Sequence, residues 1–247
     1  MKLILYIYIF LIISSVYSLA DTYEERKFII EAKLGILPGI KIMEIYTELK
    51  TENDNFDYIF DIRSLNIVRF INEINGKGIV KGKILDNDYI PSRYTYSYSR
   101  KEKSKYVEII YEDNYIKKLV VTPEYDESNL TPLTNKMLEK TIDPPTFFLS
   151  ILDYKKINNC QKIFRIFDGK RRYNVEFNKS SKSSDNLIEC EARQKKLGGY
   201  KKKENDVFAT SDFIKIVYEN NRDNKFLRYE AKNGNINILI KESKLSK

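Results

Sequence analysis

The chain has 247 residues, of which 42% are hydrophobic, and a formal net charge of +8. This composition is typical of a globular protein and excludes disordered, collagen-like and multi-span membrane chains. The sequence has no histidine and only two cysteines, which excludes Ser-His catalytic triads, zinc cages and iron–sulfur clusters. We therefore expect no metal and no cofactor.

Residues 1–20 have the pattern of a cleavable signal peptide. The apolar run LILYIYIFLII at 3–13 is followed by a small-x-small cleavage site, SLA, at 18–20. Eleven apolar residues are fewer than the roughly 20 that cross a bilayer as a helix. An uncleaved anchor is the alternative, because a softer apolar stretch continues to residue 20. We expect a periplasmic protein whose mature part, 21–247, is a single β domain with no transmembrane span.

Alternation of apolar and polar residues dominates the mature chain, which is typical of antiparallel strands with one wet face. The alternation is clearest at 28–35, 56–63, 172–178 and 188–193. Further strands are predicted at 40–51, 78–85, 92–100, 105–112, 115–121, 207–218, 225–232 and 235–241. The sequence thus predicts N-terminal strands over 26–121, a helical crossing over 124–156 and C-terminal strands over 160–241.

Helical patterns are few and are clustered in the middle of the chain. Asp143 and Pro144 have the character of an N-cap and a first-turn proline, and they open a short amphipathic helix at about 143–155. A weaker helix is predicted at 131–140, while the stretch 64–74 fits either a helix or a strand. The predicted fold is mainly β: a large antiparallel curled sheet or half-barrel, with one or two short helices inserted at about 131–155 as a lid.

The two cysteines predict a disulfide bond. In an oxidising compartment a cysteine pair is more often a bridge than a redox or metal site, and Cys160 and Cys190 enclose a loop of about 30 residues. Two buried free thiols are the alternative.

One stretch carries a recognisable motif. An Asp-Pro followed by a helix, Cys160, FDGKRRY at 167–173, Cys190 and the Gly-Gly-Tyr at 198–200 follow one another along the chain. This order resembles an uncharacterised proteobacterial exported family, catalogued as domain of unknown function 3108. The resemblance implies an exported, mainly β protein and brings with it no activity, cofactor or catalytic residue.

Three tyrosines form the first candidate binding surface. Tyr94, Tyr96 and Tyr98 alternate with hydroxyl residues, so in a strand all three lie on one face. Tyrosine combines an apolar ring with a polar tip, which suits contact with a sugar, an acyl chain or a partner protein. A cross-strand aromatic ladder that covers the core is the alternative.

The FDGKRRY motif supplies the second candidate. Asp168 and Gly169 have the character of a tight turn, and Arg171 and Arg172 open the returning strand. Two guanidiniums can clamp a phosphate or carboxylate with paired donors. In the alternative reading the motif sets the turn and its cations are solvated or paired with nearby glutamates.

Runs of lysine and arginine indicate an anionic partner. They comprise Arg100, Lys101, Lys103, Lys105, Lys195, Lys196 and 201–203. Export makes nucleic acid an unexpected partner, so an anionic lipid, a lipoprotein or another envelope component is expected. Lysine enrichment in an AT-rich genome would give the same runs without a binding surface.

Together these patterns predict a non-catalytic envelope protein. A carboxylate-based hydrolase is the residual catalytic option, but Asp57 and Asp61 fall on the wet face of their strand. We expect binding of a lipid or other envelope component in or on the curved sheet. A structural or adaptor protein with a filled core and no small ligand is the alternative.

Overall fold

The strands and helices are described in a computed structural model for residues 21–35, 38–71, 73–113, 115–182, 186–201 and 213–245. The expected signal peptide at 1–20, Lys202, Lys203 and positions 207–212 of a predicted strand lie outside these residues. The strands are β1 (Thr22–Leu34), β2 (Ile40–Glu52), β3 (Asn55–Ser64), β4 (Ile74–Leu85), β5 (Asp88–Arg100), β6 (Lys103–Glu112), β7 (Tyr115–Thr122), β8 (Ile163–Phe167), β9 (Arg172–Lys182), β10 (Leu187–Gly198), β11 (Phe213–Glu219), β12 (Phe226–Asn233) and β13 (Ile236–Ser243).

All described strands belong to one antiparallel sheet. Their order is β7-β6-β5-β4-β3-β2-β1-β13-β12-β11-β10-β9-β8. Two meanders, β1 to β7 and β8 to β13, are joined where β1 pairs with β13. The prediction of a mainly β fold with a large antiparallel sheet is confirmed.

The helices are short and lie mostly between the two meanders. They are α1 (Asn66–Ile71), α2 (Asn135–Leu138) and α3 (Pro144–Ile151), with 3-10 helices at Glu127–Asn129 and Tyr154–Ile157. The predicted insertion of short helices at about 131–155 is confirmed, although α2 is only one turn long. The stretch at 64–74, which the sequence left open, contains α1.

Helix α3 begins as the sequence predicts. Asp143 is its N-cap: one carboxylate oxygen accepts a hydrogen bond from the Thr146 amide at 2.8 Å and the other from the Thr146 hydroxyl at 2.8 Å. At the other end, the Tyr218 hydroxyl of β11 donates to the Ile151 carbonyl at 2.6 Å. Both ends of the helix are therefore fixed by buried polar contacts.

The sheet curls around α3, which is buried on two faces. Phe147 and Ile151 pack into a core cluster formed mainly by β1 and the C-terminal strands. Leu149 packs into a second cluster formed mainly by β2 to β6. A helix that is apolar on more than one face is expected inside a core. The expected lid is therefore wrong for α3, which fills the curl instead of covering it.

The two edge strands approach each other without pairing among the described residues. The loop between β8 and β9 reaches β6 and β7: the Tyr125 hydroxyl, just beyond β7, donates to the Gly169 carbonyl at 3.0 Å. A Cβ atom on Gly169 would lie 2.7 Å from the Val107 side chain. The sheet is thus curled and open. Within the described ranges, no helix has the length and apolar character needed to span a membrane.

Candidate functional site

The three tyrosines share one face of β5, as their spacing predicts. Tyr94 is buried in the second core cluster, while Tyr96 and Tyr98 are half-buried and stack with ring centroids 5.9 Å apart. The Tyr96 ring also lies 5.7 Å from the Phe60 ring of β3. The Tyr94 phenol is therefore part of the core, and an aromatic ladder is formed by the rings of Phe60, Tyr96 and Tyr98.

Asp168 and Gly169 lie in the loop between β8 and β9. One Asp168 carboxylate oxygen accepts from the Lys170 and Arg171 amides at 2.9 and 2.6 Å. Gly169 has a φ of +92°, a conformation that favours glycine. The carboxylate thus closes the loop from inside, which is the usual role of aspartate in a tight turn.

Arg171 and Arg172 do not form a clamp. The Arg171 side chain turns back to Asp168, with Nε 2.7 Å from the carboxylate. Arg172 is only 2% exposed, and its Nε donates to the Met137 carbonyl of α2 at 2.7 Å. Arg171 lies in the loop before β9, and Arg172 is the first residue of that strand, so the sequence pair is divided between two environments.

The predicted disulfide joins Cys160 to Cys190, with their Cα atoms 5.3 Å apart. Both cysteines are fully buried in the first core cluster. The bond ties the segment before β8 to the middle of β10, across the intervening strand β9. It therefore supports the end of the sheet that lies against α3.

A cleft of about 610 Å³ opens beside the β4–β5 hairpin, and we call it the edge cleft. It lies between the β4–β5 hairpin, the end of β6, the segment 140–142 and β8, and Ser150 of α3 also lines it. Its apolar walls are formed by Leu85, Tyr89, Ile90, Pro91, Ile163 and Phe164. Volumes of about 300–1,000 Å³ are usual for small-molecule sites.

Cations outnumber carboxylates around the edge cleft. Lys83, Lys140, Lys162 and Arg165 line it, together with Asp88, Glu112 and Asp113. Asp88 pairs with Lys162 at 2.5 Å, and Glu112 pairs with Lys117 at 2.7 Å. Across the described part of the chain, Lys83, Lys140 and Arg165 have no ion pair with a carboxylate. The positive charge of these three side chains favours binding of an anionic group in the cleft.

A buried polar cluster lies behind the cleft. Tyr111 lines the cleft, is 8% exposed, and its buried hydroxyl has no hydrogen-bond partner in the part of the chain described. Burial raises the pKa of Tyr111 well above its usual value, and the charge of Asp143 adds to this. Burial also raises the pKa of Asp143 to about 6. The lining of the cleft thus includes one phenol that stays protonated near neutral pH.

Sequence reasoning missed the edge cleft. Its cations come from β4, the segment before α3 and β8, which are far apart in the chain and share no spacing. Among the described residues, no group of three Cys, Asp or Glu side chains could hold a metal ion. The predicted lysine run at 100–103 lies at the β5–β6 turn, at the opposite end of the strands from the cleft.

Comparisons with known proteins leave the family open. No family model and no curated protein matches the chain, so the resemblance to domain of unknown function 3108 stays a prediction. Among solved structures, the chain is similar to a β-barrel-like protein of domain of unknown function DUF1849 from Brucella abortus. The two are 11% identical with a TM-score of 0.48, over 90% of this chain and 95% of that one.

Proposed function

We propose that this protein is an exported, periplasmic component of the cell envelope that binds an anionic lipid in the edge cleft. The observation that carries the proposal is the combination of an apolar wall with Lys83, Lys140 and Arg165, none of which has a carboxylate partner among the described residues. Apolar walls suit an acyl chain, and the cations suit a phosphate or carboxylate head group.

The position of the ligand follows from the packing of α3. Because the helix and the two aromatic-rich clusters fill the interior of the curl, the proposed ligand lies outside this interior, between the β4–β5 hairpin and β8. Ile163 is 56% exposed and Leu85 is 62% exposed. Exposed apolar side chains grouped at a cleft are typical of a binding surface.

The proposal assigns no catalytic step. Asp88 and Glu112, two of the carboxylates that line the cleft, are held in ion pairs with lysines. The disulfide is compatible with an oxidising compartment, which supports export. Binding without chemistry also agrees with a sequence that has no histidine.

The test uses the full chain and a short-chain anionic lipid, dihexanoyl phosphatidylglycerol, below its micelle concentration. The variant K83E/K140E should weaken binding at least about tenfold, because each charge-assisted contact contributes about that factor. Leu85→Asp should also weaken binding, since it places a carboxylate on the apolar wall. Isothermal titration calorimetry measures both effects.

The matched control is K101E/K103E, which makes the same charge change at the β5–β6 turn. Equal loss of affinity in the two double variants would show that binding follows net charge alone and would contradict the proposal. Native mass spectrometry of the protein purified from its own host gives a second readout, in which co-purified lipid supports the proposal.

A structural or adaptor role is the second candidate, and the edge strand β7 favours it. Tyr115 is 56% exposed and Leu119 is 39% exposed on this strand, whose outer side pairs with no described strand. A free edge can accept a strand from a partner. A clean ligand-free mass after gentle extraction, with a partner protein retained, would favour this role.

A further inference from the structure

Two arginines from neighbouring strands meet beneath α2. Arg165 of β8 is opposite Asn174 of β9, and Arg172 precedes Asn174 by two residues on the same strand. Residues two apart lie on the same face, so Arg165 and Arg172 share the outer face of this hairpin. Their guanidiniums converge on one carbonyl, that of Met137, at 2.7 Å from Arg172 Nε and 3.5 Å from Arg165 Nη2.

The two positive charges have no opposite charge beside them. In the ranges that the structure describes, neither Arg165 nor Arg172 makes an ion pair with a carboxylate. Arg172 is 2% exposed, and burial together with the charge of Arg165 lowers the pKa of Arg172 to about 10. Buried charges in proteins are usually paired, so two adjacent cations that are not paired call for an explanation.

The donors of Arg165 are not saturated. The Nε atom of Arg165 is buried and has no hydrogen-bond partner within the described residues. The only bonds of Arg165 to α2 are long, 3.3 Å to the Lys136 carbonyl and 3.5 Å to the Met137 carbonyl. A planar guanidinium presents Nε and Nη as a fork that matches the oxygen spacing of phosphate or carboxylate.

A shallow pocket of about 420 Å³ gives access to the pair. Arg165, Arg172, Lys136, Thr134 and Asn174 line it. Lys136 brings a third positive charge to the pocket. Three cations suit the charge of about −1.5 to −2 that a phosphate monoester carries at pH 7 better than the single charge of a carboxylate.

We propose that Arg165, with Arg172 and Lys136, forms a binding site for a phosphate group on the outer face of the β8–β9 hairpin. The site shares Arg165 with the edge cleft, but it does not depend on a lipid in that cleft. The phosphate comes either from free inorganic phosphate or from the head group of a lipid.

The experiment titrates the full chain with inorganic phosphate and, separately, with dihexanoyl phosphatidic acid below its micelle concentration. Arg165→Ala should weaken binding of the responding probe by about tenfold, the factor typical of one charge-assisted contact. Arg165→Lys keeps the charge and removes the fork, so its affinity should lie between those of the wild type and Arg165→Ala. Arg222→Ala, which removes an exposed arginine from the β11–β12 turn, is the matched control and should bind as the wild type does.

The two probes distinguish the sources. Binding of both probes through Arg165 identifies the phosphate group itself as the ligand, whereas binding of phosphatidic acid alone identifies a lipid head group. K83E/K140E should leave the Arg165-dependent binding of either probe unchanged, whereas it weakens binding in the edge cleft, so failure of the edge-cleft proposal and failure of this one give different results.

Equal affinity of Arg165→Ala and Arg222→Ala for both probes would overturn the proposal, as would the absence of saturable binding by the wild type. Thermal unfolding provides a check on folding. Phosphate should raise the Tm of the wild type above that in sodium chloride of equal ionic strength, and Arg165→Ala should lose this increase while keeping its Tm in chloride.

Discussion

In the N-terminal half of the sheet, glycines of β4 make room for aromatic rings. In the C-terminal half, a disulfide bond joins the segment before β8 to β10. A Cβ on Gly76 would lie 2.7 Å from the Tyr96 hydroxyl oxygen, and one on Gly82 would lie 2.6 Å from the Phe56 ring. The other half is built around Cys160 and Cys190, both fully buried. The stability of the N-terminal half should therefore fall when atoms are added at the β4 glycines, and that of the C-terminal half should fall when the disulfide is removed.

Helix α3 connects these two ways of packing. It contributes Phe147 and Ile151 to the disulfide-bonded half and Leu149 to the glycine-rich half. Burial raises the pKa of the Tyr94 and Tyr111 phenols, and the charge of the α3 N-cap, Asp143, raises both further. A change at the disulfide therefore probes the C-terminal half of the sheet, and a change at a β4 glycine probes the N-terminal half. A change at Asp143 probes α3, which packs against both halves.

The largest effect is expected from removal of the disulfide. The variant C160A/C190A should lose about 3–4 kcal/mol of unfolding free energy, because the bond restricts a loop of about 30 residues in the unfolded chain. Urea denaturation, with reduced wild type as the control, measures the difference. Unchanged midpoints in the oxidised and reduced wild type would contradict the expected contribution.

The second effect is a pH dependence of the unfolding free energy that comes from Asp143, the N-cap of α3. Burial raises the pKa of Asp143 from 3.8 to about 6, so between these values the folded protein binds more protons than the unfolded chain. Stability from this group is therefore greatest below about pH 4 and falls as the pH rises to about 6. Since a tenfold change in proton affinity corresponds to about 1.4 kcal/mol, the loss is about 3 kcal/mol.

Asp143→Asn isolates this effect, because asparagine also caps helices but does not titrate. The unfolding free energy of the variant relative to the wild type should increase between pH 4 and pH 7 by about 3 kcal/mol. Urea denaturation at several pH values measures it. A constant difference between the two proteins across this range would show that Asp143 has an ordinary pKa in the folded state.

The smallest effect is expected at β4. Gly78→Ala should destabilise the protein by about 1–3 kcal/mol, the usual cost of overpacking a core, because the new methyl group would contact the Phe60 ring and lie 2.6 Å from the Thr95 carbonyl oxygen.

Gly39→Ala is the control for this change. Its nearest neighbour, a Glu31 carboxylate oxygen, would be 3.6 Å from the new Cβ, so its effect should stay within about 0.5 kcal/mol. Similar losses in the two variants would mean that glycine at β4 does not serve to admit the rings. The comparison is made by thermal or urea denaturation.

Local patterns were enough to predict most of the secondary structure. Alternation at 56–63 places Phe56, Tyr58 and Phe60 in the core, and Asp143 before Pro144 predicts the start of α3. The predicted helix at 131–140 was too long because only Asn135–Leu138 is helical. The extended backbone on both sides allows bridges such as Leu130 with Lys201, which no local pattern encodes.

Site prediction was less complete for a physical reason. The spacing of Tyr94, Tyr96 and Tyr98 places them on one face, but packing in a cluster with Val80 of β4 and Ile109 of β6 decides that Tyr94 belongs to the core. The adjacency of Arg171 and Arg172 suggested a clamp, yet Arg171 bonds to Asp168 within the loop while Arg172, the first residue of β9, is buried against α2. In the structure, Arg172 lies beside Arg165, seven positions earlier in the chain, and both donate to the Met137 carbonyl.

The sequence by itself determined the mainly β class, the antiparallel alternation, the cap of α3 and the two cysteines available for a bridge. These features depend on side-chain periodicity and on contacts over a few residues, which a sequence shows directly. Tertiary structure alone decided that α3 lies inside the curl, that an edge cleft forms between β5 and β8, and that Arg165 meets Arg172. Each of these three features depends on how far the sheet twists and on which side chains fill the interior of the curl. Both are set by packing between residues that are far apart in the chain, which local sequence patterns do not show.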